Sequence, residues 1–329
     1  MRTLICRFCT GIILASCLSG AAAAADKPVI LRFPHTQVTE HPYHIALLKM
    51  AESVKQKTNG RIQIQVFPAS QLGNDPAILE GMAMGSMDFG IMGGAWLATW
   101  HPPLAIFDAN YVFKSLDHMY RFAATPVAQE MYEASRTKRG IRVLDTWYFG
   151  TRQLTTRNKP IQTPDDLKGV KIRAVNNPLS LANARAMGAN ATPMAFPEVY
   201  MGLSQGVVDG QENPLPTIVG NKFYEVQKYL NLTSHCIQAT FVLVSEKSFQ
   251  SLSAQDRAIL EEAARGTRDF YNKLVLDREE SDVKFVQEKG MTVIRPDLEP
   301  FRAKALKEIP PQFESQWGKG LYERIQQMN

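Results

Sequence analysis

Val170-Lys171-Ile172-Arg173-Ala174-Val175-Asn176-Asn177-Pro178 is the stretch on which the reading of this chain turns. Val170, Ile172 and Ala174 alternate with Lys171 and Arg173, the period of a half-buried strand, and Asn176-Asn177-Pro178 stops it. A strand that ends in a turn and a helix belongs to an open α/β sheet, and such sheets take their ligands at the carboxyl ends of their strands. Arg173 stands at that end. Its guanidinium is a planar fork of donors that stays charged and matches a carboxylate bidentately. Each charge-assisted hydrogen bond is worth roughly 1.5–3 kcal/mol. On the residue alone a second reading stands beside this one, a solvated strand end in a structural ion pair.

Around this strand lie Gly150-Thr151-Arg152-Gln153, Asp165-Asp166-Leu167-Lys168-Gly169, Pro193-Met194-Ala195-Phe196-Pro197-Glu198-Val199-Tyr200, Val208-Asp209-Gly210-Gln211-Glu212-Asn213-Pro214 and Lys222-Phe223-Tyr224-Glu225-Val226-Gln227-Lys228-Tyr229-Leu230. In this order and spacing they resemble the solute-binding proteins of TRAP transporters, nearest the sialic-acid and sugar-acid branches. The resemblance spans essentially all of the chain after its first 25 residues. It implies an α/β, two-lobed periplasmic binding protein fold with mixed sheets, a ligand cleft between the lobes and a long connecting helix. It implies transport, not catalysis: an organic acid is bound and handed to the small and large permease subunits in the membrane. It also shifts Arg173 and Arg152 from structural charges to carboxylate donors.

The chain start reads as a targeting segment. Arg2 and Arg7 precede an apolar run through Ile12-Ile13-Leu14, and Ala21 to Ala25 supply small residues for cleavage before Asp26. Leu14-Ala15-Ser16-Cys17 also matches a lipoprotein box, so a lipid anchor at Cys17 is an alternative to plain release into the periplasm. Without residues 1–25, lysine plus arginine falls from 37 to 35 against 32 acids, and the formal charge from +5 to +3. That balance carries no argument for nucleic acid. Cys6, Cys9 and Cys17 leave with the leader, and the remaining Cys236 reads as a small buried apolar side chain with no disulfide partner.

The chain as a whole, 45% hydrophobic and 21% charged, reads as a soluble globular protein. Val29 to Phe33 reads as a first strand, and 42–58 as a helix through Ile45, Leu48 and Val54. Ile62, Ile64 and Val66 mark a second strand, 75–85 a helix and Met87 to Met92 a third strand. Strand, helix, strand, helix, strand predicts a parallel sheet with crossover helices. A run over 141–149 meets Gly150, a crossing between lobes. Ala239 to Ser245 passes back as a strand, a very long helix covers Ser253 to Lys289, and further helix follows from Leu298. The division expected is 1–25 signal peptide, 26–150 with 239–277 as lobe 1, and 151–238 with 278–329 as lobe 2. Two lobes joined more than once predict closure over a cleft, and a monomer is expected.

The expected ligand residues are Arg173 as principal clamp, Arg152 as second donor, Asn176 in the turn after Arg173, Asn213 and Glu212 at a loop-to-helix junction, Phe196 as an apolar wall, and His35 and Thr36 after the first strand. For Asn213 a helix cap, for Phe196 an ordinary core position, and for His35 and Thr36 plain turn residues are the alternatives. Asp75 and Glu80 read as solvated helix-start acids before ligand contacts. Where the sialic-acid receptors carry an asparagine and a glutamate, this chain aligns Thr36 and Gly93, and Asn176-Asn177-Pro178 resembles the members that take keto- or sugar-acids. A sugar acid is the expected ligand, with sialic acid or a small keto- or dicarboxylic acid behind it; a sensor-coupled binding protein is a further alternative. Gly202-Leu203-Ser204-Gln205-Gly206 matches a nucleophile-elbow string but follows a helical pattern and precedes a strand, the reverse of what an elbow needs. His35, His41 and His44 lack an acidic or cysteine partner in the same turn, and no phosphate-cradling loop is present. No cofactor is expected.

Overall fold

The structure, a computed structural model, describes residues 27–328, so the expected leader and Cys17 lie outside the described residues. The alternating runs near the amino end become β1 (Val29–Pro34) and β2 (Ile62–Phe67), paired in parallel and joined by α1 (Pro42–Lys57). The buried face of α1 is Tyr43, Ala46, Leu47, Met50 and Val54, spaced by three and four residues. Ile45 and Leu48, read from the sequence as part of that face, are exposed. The next elements are α2 (Asp75–Met84), β3 (Phe89–Met92), α3 (Gly94–Leu97), α4 (Leu116–Ala123) and α5 (Pro126–Arg139). The expected three-strand parallel sheet stops at β2, because β3 pairs antiparallel in a second sheet.

That second sheet is built on two long strands, β4 (Ile141–Thr156) and β8 (Tyr229–Ser245), antiparallel along nearly their whole lengths. Between them in the chain come β5 (Lys171–Ala174), α6 (Pro178–Ala186), β6 (Asn190–Pro193), α7 (Val199–Gln205), β7 (Gly210–Pro214) and α8 (Leu215–Gly220). The strand order is β3-β8-β4-β7-β5-β6, with β5 parallel to both β6 and β7. The register of β4 on β8 shifts at three places, one of them between Tyr148 and Gly150. Gly150 sits at φ +133°, and a Cβ there would lie 2.6 Å from the Pro214 side chain, so only glycine fits this bend. The expected strand at 239–245 is longer than its apolar run, because Tyr229 to Gln238 alternate polar residues that pair with β4 and carry function below.

After β8 come α9 (Glu246–Gln250), α10 (Ala254–Glu288), β9 (Thr292–Ile294), α11 (Glu299–Glu308), α12 (Pro310–Trp317) and α13 (Leu321–Gln327). With 35 residues, α10 is about 52 Å long. Its Leu260, Ala264, Tyr271 and Val275 enter one apolar cluster with Phe33, Phe107, Trp147 and Phe241; its Val286 enters a second with Leu203, Ile218 and Phe223. One helix thus fastens two cores. The terminal helices differ from the expected grouping with lobe 2. Tyr322 Oη donates to the Asn110 carbonyl at 2.6 Å and Gln326 Nε2 to that of Tyr111 at 2.6 Å, so α13 docks on the amino-terminal half.

Candidate functional site

Arg173 lies on β5, next to the edge strand β6, paired with Thr192 on one side and Gln211 on the other. It is 2% exposed. Its Nε and Nη2 both donate to the Met194 carbonyl, at 3.0 and 2.9 Å, while Nη1 is buried without a partner. Among the described residues no carboxylate lies in ion-pair range of it. Burial, with the positive charge of Arg152 nearby, pushes the guanidinium down to about 10. A buried cation left in this condition costs several kcal/mol, so the position calls for an anion.

Arg152, opposite Pro214 in the β4–β7 ladder, has its donors committed. It forms an ion pair with Glu212, donates to the Gln238 side chain at 2.6 Å and the Glu212 carbonyl at 2.6 Å, and reaches Asn213 Oδ1 at 3.2 Å. His235 donates from Nε2 to the same Glu212 carboxylate at 3.1 Å. Burial alone would raise Glu212; the Arg152 charge and these hydrogen bonds outweigh it and hold the carboxyl at about 2. Asn213 Nδ2 donates to Gln211 Oε1 at 2.6 Å, and Gln211 to Thr155 at 3.0 Å. The result is a rigid polar floor spanning β4, β7 and β8.

Above this floor is a cavity of about 520 Å³ including its open mouth, into which Arg173, Arg152, Asn213, Phe196 and Thr36 all converge. The Arg173 guanidinium stands 5.8 Å from the Phe196 ring centre. The cavity is therefore formed by the loop after β1, the end of β3, the bend of β4 and the ends of β5 and β7. Three expected residues fall elsewhere. His35 is buried beside the wall, with Nε2 3.2 Å from His44 Nδ1, and burial together with His44 drives it down to about 3. Asn176 is exposed, and its neighbour Asn177 caps α6 by accepting from Ser180 N at 2.8 Å. Glu212 faces away, toward Arg152 and His235. No group of three His, Cys, Asp or Glu that could hold a metal occurs among the described residues.

The residues the sequence reading passed over are Gln37, Tyr43, Trp96 and Phe149, with Asp75 ranked too low. Asn74 caps α2, accepting from Ala77 N at 3.2 Å, so the half-buried Asp75 is released from capping and faces the cavity. Burial raises its carboxyl to about 7 against the pull of Arg173. Trp96 lies on α3, the short helix that follows the end of β3, and strand ends are where such residues are expected. Gly93 has no room for a side chain: a Cβ would lie 2.7 Å from Asp108 Oδ2 and 2.9 Å from Gln238 Nε2. Asp108 itself accepts from Ala95 N at 2.8 Å, and burial raises it to about 6.

An unpaired cation and a facing carboxyl between aromatic walls define a site for holding a small acid that also carries hydroxyl groups. The Ser204 string lies in α7, with helix before it and β7 after it, an order that gives no nucleophile elbow. The chain belongs to the bacterial extracellular solute-binding protein family 7, the DctP family, whose pattern matches residues 33–316. It is 35% identical over 318 residues to the sialic acid-binding periplasmic protein SiaP of Vibrio cholerae, covering 96% of this chain and 98% of that one. It is 32% identical to the 2,3-diketo-L-gulonate-binding periplasmic protein YiaO of Escherichia coli, covering 84% of this chain and 85% of the other. A crystal structure of a TRAP periplasmic solute-binding protein from Roseobacter denitrificans with bound L-galactonate superposes with a TM-score of 0.82 at 34% identity, covering 88% of this chain and 98% of that one.

Proposed function

We propose that this chain is the periplasmic receptor of a TRAP transporter and binds a monocarboxylic sugar acid, whose carboxylate pairs with Arg173. The observation that carries this reading is the unpartnered Nη1 of a buried guanidinium lining a cavity. Solved relatives at about the same identity hold L-galactonate, β-D-galacturonate and L-fuconate, all of them hydroxylated monocarboxylates. Asn213 adds an amide, and Thr36, Gln37 and Asp75 offer polar contacts to hydroxyls. Tyr43, Trp96, Phe149 and Phe196 supply aromatic faces for the carbon chain. Asp75 disfavours a second carboxylate at the far end, which weighs against dicarboxylates.

The lobes are 27–150 with 239–277 and the terminal helices, and 151–238 with the distal part of α10. They close over the ligand by bending near Gly150, and the closed form docks on the permease subunits. Calorimetry with L-galactonate, D-galacturonate and succinate tests the reading. Micromolar or tighter binding of a sugar acid, with succinate weaker, is the expected result; no heat with any carboxylate overturns it.

A further inference from the structure

The loop between β1 and α1 brings Thr36 and Gln37 to the cavity and then meets α8 of the other half through a single polar contact. His41 lies 3.2 Å from Thr217, Nε2 to Oγ1, and both residues are essentially fully buried. The tautomer is fixed by the surroundings. His41 caps α1, its Nδ1 accepting the Tyr43 backbone N–H at 3.1 Å, so the ring hydrogen is on Nε2 and is donated to Thr217. The imidazole packs against Tyr43, centroids 5.0 Å apart, and Phe149, 5.9 Å apart, and both rings line the cavity. A second contact supports the first: Val38 lies so close to Gly220 that a Cβ there would be 3.1 Å away. Loop and helix touch only when the two halves are together.

We propose that His41, through its hydrogen bond to Thr217, is a positioning residue for lobe closure, and that this contact makes ligand retention weaken as the medium is acidified. The proposal rests on the receptor reading above. A proton added to His41 can go only to Nδ1, which would set an N–H against the Tyr43 N–H and destroy the cap. The charged and titratable groups near the ring are His35 after β1, Tyr43 and His44 on α1, and Arg278 on α10, with Glu40 in the loop acting on His44. Burial first, and then His35 and Arg278, hold His41 well below its ordinary value. Once the lobes part, Thr217 withdraws and water reaches the ring, which lifts the imidazole toward the histidine value of about 6.5 at the expense of the α1 cap. Protons then bind the open form more readily than the closed one. Linkage predicts a loss of up to about tenfold in affinity between pH 7.5 and 5.5 from this one group.

The test uses the full mature chain and L-galactonate as probe, with affinity and dissociation rate measured at pH 5.5, 6.5 and 7.5. His41→Asn keeps a cap acceptor and a donor but does not titrate; Thr217→Val removes the acceptor at constant shape. Thermal unfolding of each variant checks folding. The expected result is a steep pH profile in the unmodified protein, a profile about tenfold flatter in His41→Asn, and about tenfold faster dissociation in Thr217→Val at pH 7.5. Equal pH profiles in the unmodified protein and His41→Asn overturn the proposal while leaving the receptor reading intact. Absence of binding to L-galactonate and D-galacturonate at every pH overturns the receptor reading, and this proposal with it.

Discussion

Arg173 gives two of its guanidinium nitrogens to the carbonyl of Met194, at 3.0 and 2.9 Å, and leaves the third without a partner. The Met194 carbonyl therefore orients the fork without neutralising it. Arg152, one strand away, has the opposite arrangement: Glu212 neutralises it and Gln238 and Asn213 fix it. Two arginines that look alike in the sequence thus stand differently, one with an unpartnered donor at the cavity and the other paired into its floor.

Arg173→Ala removes the recognising group. A buried charged pair broken at one partner costs 2 kcal/mol or more, so L-galactonate affinity should fall at least about 30-fold by calorimetry. The ligand-free protein should lose little stability or gain some, because the substitution also removes an uncompensated buried cation. Unchanged affinity, or a large fall in the ligand-free melting temperature, would count against the assignment.

Asp75→Asn tests the other end of the cavity. L-Galactonate and galactarate share a carbon chain and differ in whether the far end is an alcohol or a second carboxylate. The unmodified protein should favour L-galactonate, and Asp75→Asn should narrow the ratio about tenfold or more, as one charge-assisted hydrogen bond is lost and one like-charge repulsion relieved. A ratio that does not move would remove Asp75 from the specificity determinants. Because burial raises Asp75 to about 7, the preference should sharpen as pH rises through that value and the carboxylate ionises.

Most of the architecture was legible because burial writes a period into the residues. The strand at β5, the 35-residue helix and the glycine at the bend stand where the sequence puts them, although β5 is buried on both faces at Arg173 and only Lys171 is exposed. What was not legible came from tertiary neighbours. Ile45 and Leu48 are apolar yet exposed, since the helix turns its Tyr43 and Ala46 face inward. The antiparallel pairing of β3 is set by β8, some 150 residues later. In the site, Arg173, Arg152 and Asn213 were readable as donors at strand ends, whereas Glu212 looked like a ligand contact until Arg152 and His235 were seen to occupy it. Asp75 was read as a solvated helix-start acid, whereas it is half-buried against the cavity while Asn74 caps the helix.

Beside Glu246, which despite partial burial its arginine partners also hold at about 2, Glu212 should contribute strongly to the acid limb of stability. Its folded-state carboxyl lies at about 2, below its ordinary 4.5, so the folded form binds its proton less readily than the unfolded chain. The stabilisation is present above about 4.5 and is lost as pH falls toward 2. Urea unfolding at pH 3, 4, 5 and 7 should show this slope, and Glu212→Gln should flatten it while lowering stability at pH 7. Asp108, raised to about 6, works in the other direction, stabilising below its unfolded value of 3.8 and losing that contribution as pH climbs toward 6. Asp108→Asn should remove that second, opposite slope. If Glu212→Gln keeps the full acid-limb slope, the ion pair with Arg152 is not its source.

The bend at Gly150 gives the last prediction. There the backbone is at φ +133°, the Pro214 side chain lies 2.6 Å from where a Cβ would be, and Glu279 of α10 accepts from the Thr151 N–H and, at 2.9 Å, from the Tyr148 hydroxyl. Helix and bend are thus tied at one of the three places where β4 changes register. Gly150→Ala forces a side chain into a strained backbone region and against a proline ring, and should destabilise the protein by about 1–3 kcal/mol. Glu279→Gln leaves the bend unstrained but weakens the tie, so it should change ligand association and dissociation rates more than it changes stability. Stopped-flow binding beside thermal unfolding separates the two. A Gly150→Ala protein as stable as the original would mean the crossing relaxes freely, and the bend would no longer be the hinge.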